Sequence, residues 1–180
     1  MGRIRVDSVF LHIVQLSYAA LFLAGAISKF RHLSEFHRVL DEYEFLPSSL
    51  VPLASRLIPT LELVTSLALL IAPIPVAVLL SMALLGLYTI AMGNAILKGR
   101  SDLDCGCHFG GQRQAVSSLL VFRNLLLIML TFAMVVPAEE HALSMMDFVA
   151  IAFGVILSAT IYQLVNQLIS NEDLNRSFTQ

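Results

Sequence analysis

The chain has 180 residues, of which 57% are hydrophobic and 13% charged, and its mean hydropathy is +0.80. A soluble domain of this size has no interior large enough for so much apolar surface, so a soluble globular fold is excluded. The formal charge of −2, without a basic tract or an aromatic platform, gives no basis for nucleic-acid binding.

Apolar runs of about 18 residues or more read as membrane-spanning helices. Several are present, and a β-barrel would instead show short alternating segments. The expected class is therefore an all-α polytopic membrane helical bundle embedded in a lipid bilayer. "MGRIRV", an apolar stretch and "AGA" at 24–26 have the outline of a signal peptide. The stretch is long, however, and contains His12 and Gln15, so an uncleaved first span over about 8–28 is the expectation.

The next segment, "KFRHLSEFHRVLDEYEFLP" at 29–47, places Phe30, Leu33, Phe36, Leu40 and Tyr43 every three or four residues. Arg31, Glu35, Arg38, Asp41 and Glu42 fall on the other face. That pattern predicts an amphipathic surface helix over about 30–46, either a plain re-entry linker or a lid over a site in the bundle. Span two covers about 50–72 and contains Arg56, Pro59 and Glu62, so a tilted or broken start near Pro59 is expected. The prolines of "APIP" make a tight turn into span three, about 76–97. A polar, glycine-rich loop at 98–116 precedes span four, about 117–136. Span five covers about 146–169. Spans one to four are expected to form a four-helix core with the fifth transmembrane helix against its side, all in a single membrane domain.

The loop at 98–116 contains both cysteines of the chain, in "LDCGCHFGG". A Cys-Gly-Cys pair has three readings. The first is a redox dithiol, since Cα atoms two residues apart lie within disulfide range and glycine relieves the small ring. The second is a metal site formed by Cys105, Cys107 and His108, with Asp104 as a further ligand. The third is two inert thiols. The start of span four favours thiolates, whereas Asp102 and Asp104 oppose them by raising the thiol pKa.

Charges inside a span face the bundle interior and find partners. Arg123, about two turns into span four, and Glu62, about three turns into span two, enter from the same side, and a pair between them is expected beneath the Cys loop. Lys29 is the rival partner for Glu62, and Asn124 is placed to add a hydrogen bond to Arg123. His12 and Gln15 read as satisfied polar core residues.

"AGAISKF", "YEFLP", "LIPTLEL", "LDCGCHFG" and "FRNLLL" together resemble the MauE family of methylamine-utilisation membrane proteins. The matching positions include Lys29, Phe36, Tyr43, Pro59, Glu62, Asp104, Cys105, Cys107, Arg123 and Asn124, and span about three quarters of the chain. One departure is His108, inserted between the second cysteine and Phe109. The resemblance implies a thiol-disulfide protein that assists disulfide formation in the methylamine dehydrogenase small subunit, with a MauD-like partner of thioredoxin fold. A weaker, fold-level likeness links the layout to vitamin K epoxide reductase-type disulfide-forming proteins.

On this reading Cys105, Cys107, Asp104, Glu62 and Arg123 are the catalytic candidates. Lys29, Tyr43 and Asn124 would contact a bound acceptor such as a quinone. The competing classes are a metal-binding or transport protein and a non-redox maturation scaffold. Lys29, Arg31, Arg38, Lys98, Arg100 and Arg113 lie in loops on the side of the Cys loop, which the positive-inside rule assigns to the cytoplasm. Disulfide chemistry belongs outside it, so the expected arrangement is a bacterial inner-membrane protein with a periplasmic Cys loop.

Overall fold

The computed structural model describes residues 6–100, 103–104, 116–139 and 143–177. Its helices are α1 (Ser8–Arg31), α2 (Leu33–Glu42), α3 (Val51–Ile71), α4 (Ile74–Leu97), α5 (Ser118–Thr131) and α6 (Met145–Ser177), with a 3-10 turn at Phe132–Val135. Two-residue strands, β1 (Val6–Asp7) and β2 (Ala138–Glu139), pair in parallel. Among the described residues, five segments are long and apolar enough to cross a membrane: Ser8–Arg31, Val51–Ile71, Ile74–Leu97, Ser118–Val135 and Met145–Asn171. The protein is thus the all-α polytopic bundle that its hydropathy predicts.

The helix ends follow from local chemistry. Asp7 caps α1, its Oδ1 accepting from the Val9 N–H at 2.7 Å. Pro73 and the prolines near the starts of α3 and α4 occupy positions where a missing N–H costs nothing. α4 ends on Gly99 at φ 72°. There the Gly99 N–H bonds Ile96 O at 2.9 Å and the Arg100 N–H bonds Ala95 O at 3.0 Å. This is the glycine-terminated closure that satisfies the last carbonyls and turns the chain sharply away.

The expected break near Pro59 is absent. α3 runs from Val51 to Ile71 with Pro59 inside it, fully buried. Packing against α1, α2 and α4 holds the helix on course through the lost hydrogen bond. Glu62 therefore lies about three turns inside α3.

α1 packs chiefly on α3 and α6, and α4 packs on α3 and α5. Lipid tails are as apolar as leucine, so polar hydrogen bonds and close packing define these interfaces. Gln15 donates to Leu69 O and Tyr18 to Leu127 O. Ser66 Oγ donates to Ala19 O at 2.8 Å. Three side chains thus tie α1 to α3 and α5 through backbone carbonyls that would otherwise face an apolar interior, and Gln15 is the satisfied polar residue the sequence suggests. His12 is not a core residue but exposed, with Ser8 O as a local partner at 2.6 Å from Nδ1. α6 approaches α1 at Gly154, where an added Cβ would lie 2.6 Å from Ile13 Cδ1.

Candidate functional site: a buried ion pair and the roots of the cysteine loop

The predicted amphipathic helix is α2, with Phe36 and Val39 buried and Arg38 and Glu42 paired on its exposed face. It packs against α3. After it the chain turns at Glu44, with φ 48°, and Glu44 reaches Arg100 Nη1 at 3.0 Å. That ion pair joins the end of α2 to the exit of α4, where the Cys loop begins.

The roots of the loop are fixed from both sides. The Val116 N–H bonds Leu103 O at 2.9 Å. Leu103 and Val116 are buried in one cluster with Val39 and Tyr43 of the α2 segment, Met92 and Ala95 of α4, Leu120 of α5 and Ile169 of α6. Tyr43 is therefore a packing residue at the loop root, among the groups that hold the loop over this end of the bundle. Asp104, also buried, sits at the same root. Cys105, Cys107 and His108, which carry the redox and metal readings, lie outside the described residues. Among the described residues no cluster of three or more His, Cys, Asp or Glu forms a metal site.

The bundle interior contains two polar centres. In the first, Lys29 Nζ stands 2.8 Å from Glu62 Oε1, and both side chains are almost fully buried. Tyr88 OH donates to the same oxygen at 2.6 Å. The ammonium is held between two rings, 5.5 Å from the Phe36 centroid and 5.2 Å from that of Tyr88, so cation–π attraction adds to the ion pair in a water-poor site. Phe36 comes from α2, which therefore packs over Lys29. Gly25 makes room for the carboxylate, since a Cβ there would stand 3.1 Å from Glu62 Oε1. Among the described residues Glu62 Oε2 has no hydrogen-bond partner.

The second centre is Arg123. Its Nη1 donates to Asn166 Oδ1 and its Nη2 to Asn124 Oδ1 at 3.2 Å. The guanidinium lies over the Tyr162 ring, 5.3 Å from the centroid. Asn124 thus makes the hydrogen bond expected of it.

The expected Arg123–Glu62 pair does not form. α3 packs on α1, α2 and α4, whereas α5 packs mainly on α4. The two charged residues belong to different helix interfaces, and Lys29, on the helix packed most closely against α3, takes the carboxylate. Sequence reasoning also passed over Tyr88, Tyr162 and Asn166. Each is a polar-tipped side chain within an otherwise apolar span, and in a membrane such a group needs a partner.

The comparisons with known proteins agree with this layout. The family model described as "Methylamine utilisation protein MauE" matches residues 7–137, from the cap of α1 to the end of the 3-10 turn. A curated relative from Paracoccus denitrificans, "Methylamine utilization protein MauE", is 34% identical over 74% of this chain and 72% of its own length. Relatives of the same name from Paracoccus versutus and Methylophilus methylotrophus are 34% and 29% identical, over 61% and 86% of this chain and 59% and 83% of their own lengths. No solved structure gives a significant match. The buried Lys29, Glu62, Arg123 and Asn124 and both roots of the Cys loop fall within the matched segment, and the chain belongs to the MauE family of methylamine utilisation proteins.

Proposed function

We propose that this protein is a membrane thiol-disulfide redox protein that serves methylamine utilisation by forming disulfides in the methylamine dehydrogenase small subunit. The supporting observation is the rooting of the cysteine loop. The chain's only two cysteines lie on a loop whose ends are stitched together and packed by α2, α4, α5 and α6. The spans that carry the loop also hold buried charges. An inert loop needs no such foundation.

The chemistry balances as follows. A Cys105–Cys107 disulfide is attacked by a substrate thiolate, which breaks the S–S bond and forms a mixed disulfide. A second substrate thiolate displaces the remaining cysteine. The substrate gains one disulfide, and two electrons and two protons remain on Cys105 and Cys107. Reoxidation transfers these to the disulfide of a thioredoxin-fold partner of the MauD kind, docking on the face formed by α2 and the Cys loop. A quinone in the bundle interior near Glu62 and Arg123 is the second acceptor class, with Lys29, Tyr43 and Asn124 as its polar contacts.

Mass-tagged maleimide on freshly isolated membranes tests the redox step. No label without reductant and two labels with it are expected. Two labels in unreduced membranes would overturn a resting disulfide, and metal that co-purifies and is lost on Cys105→Ser would favour the metal-binding class.

The same reading places the Cys loop in the periplasm of the inner membrane, against the positive-inside count. An impermeant maleimide applied to intact, gently reduced spheroplasts is expected to reach both cysteines. Labelling only after lysis would place the loop in the cytoplasm and remove the periplasmic mechanism.

A further inference from the structure

Two cations on the outer surface of the bundle are left to their surroundings by the fold. Arg31 closes the last turn of α1 and Arg56 lies in the second turn of α3, and both are exposed. Neither guanidinium takes part in an ion pair among the described residues, where the pairs join Lys29 to Glu62, Arg38 to Glu42 and Arg100 to Glu44. Glu42 and Glu44 are thus engaged, and the exposed Asp41 pairs with neither arginine.

The α1–α3 interface sets both arginines at one depth. Gln15 meets Leu69, Ala19 meets Ser66 and Gly25 meets Glu62, so the two helices run antiparallel in a fixed register. Arg31 follows Gly25 by six residues and Arg56 precedes Glu62 by six. The same register therefore carries them to matching positions. The axes of packed helices lie about 8–10 Å apart, a spacing that two arginine side chains bridge around one headgroup. α1 has 24 residues, a length of about 36 Å, against a hydrocarbon core of about 30 Å. Its last turn reaches the headgroup layer, and Arg56 lies there with it.

The neighbouring surface is apolar. Ile27 and Phe30 on α1 and Leu53 and Leu57 on α3 are exposed large side chains about one helical turn or less from the arginines. Such a surface faces acyl chains, and a guanidinium set in it extends on its aliphatic stem toward the phosphate layer. The planar, permanently charged fork matches phosphate oxygens. Two forks without a carboxylate favour a lipid that carries net negative charge.

We propose that Arg31 and Arg56 form a binding site for an anionic phospholipid, with its phosphate at the two guanidiniums and its acyl chains along Ile27, Phe30, Leu53 and Leu57. The site is independent of the redox reading of Cys105 and Cys107.

The experiment melts the full-length protein in dodecyl maltoside with dioleoylphosphatidylglycerol or dioleoylphosphatidylcholine at equal mole fraction. The phosphatidylglycerol sample is expected to melt about 3 °C higher. Arg31→Gln/Arg56→Gln is expected to lose at least half of that difference. Arg38→Gln, which removes an exposed cation of α2, is expected to keep all of it. Inorganic phosphate, compared with chloride at equal ionic strength, is expected to give no shift because it has no acyl chains.

Equal melting in the two lipids would overturn the proposal, as would a full difference in the glutamine pair. A shift with inorganic phosphate as large as that with phosphatidylglycerol would make this a soluble-anion site and remove the lipid. Asp102 lies outside the described residues, and Asp102→Asn is expected to leave the lipid difference unchanged. A difference that doubles in Asp102→Asn would mean that this carboxylate neutralises the arginines in the wild type, and the proposal would fall. If the glutamine pair does not accumulate, native mass spectrometry of the wild type and Arg56→Gln in an equal mixture of the two lipids reads the same selectivity. The wild type is expected to retain several-fold more phosphatidylglycerol than phosphatidylcholine and Arg56→Gln clearly less, and equal selectivity in the two proteins would overturn the assignment.

Discussion

Lys29→Met is expected to be among the most damaging single substitutions in the bundle. It removes the ammonium from a carboxylate that is nearly fully buried and leaves Glu62 with Tyr88 as its one hydrogen-bond donor. Breaking one side of a buried pair costs about 3–5 kcal/mol, because the other charge stays desolvated. In a chain of this length that corresponds to a fall of roughly 10 °C in the melting temperature measured in detergent. The double variant Lys29→Met/Glu62→Leu is expected to recover most of the loss, since replacing both partners with apolar groups is often close to neutral. A double-mutant cycle between Lys29 and Glu62 then gives a coupling above about 1 kcal/mol, whereas the cycle between Arg123 and Glu62 gives one near zero. The reverse pattern would mean that Glu62 belongs to Arg123 in the membrane, as the sequence first suggests.

Replacing Cys105 or Cys107 by serine is expected to abolish the proposed function while leaving the bundle intact. In the chain both residues lie between Leu103 and Val116, whose backbone groups bond to each other directly. The readout is the disulfide content of the methylamine dehydrogenase small subunit in cells grown on methylamine. Loss of its disulfides in both serine variants, with normal amounts of the membrane protein, supports the exchange mechanism. Full disulfide content in both, together with loss of function on disrupting α2 through Phe36→Asp, would instead identify a non-redox scaffold.

The spans, the turn at 72–75 and the surface helix are legible in the sequence because each is governed by a short-range rule. Bilayer thickness sets the length of an apolar run, proline ends a helix, and the 3.6-residue period sorts α2 into a greasy and a charged face. The residues that matter inside the membrane are visible for the same reason. Lys29, Glu62, Arg123 and Asn124 stand out because charged and polar groups are scarce in such a background, and "DCGC" stands out because it holds every thiol in the chain.

Partnership is different, because it depends on which helices are neighbours and at what rotation. Glu62 and Arg123 enter from the same side in the sequence reading, yet the close packing of α1 on α3 gives the carboxylate to Lys29. The continuous path of α3 through Pro59 also comes from its neighbours, which compensate for a local defect. Tyr88 acquires a role only because α4 turns its hydroxyl onto Glu62. Asn166, more than forty residues from Arg123 in the chain, meets it only because α6 returns along the bundle to the same end. Sequence by itself determined which side chains need partners. Tertiary structure decided which partner each received, because a buried charge is satisfied by the nearest group in space and the order of the chain does not encode that distance.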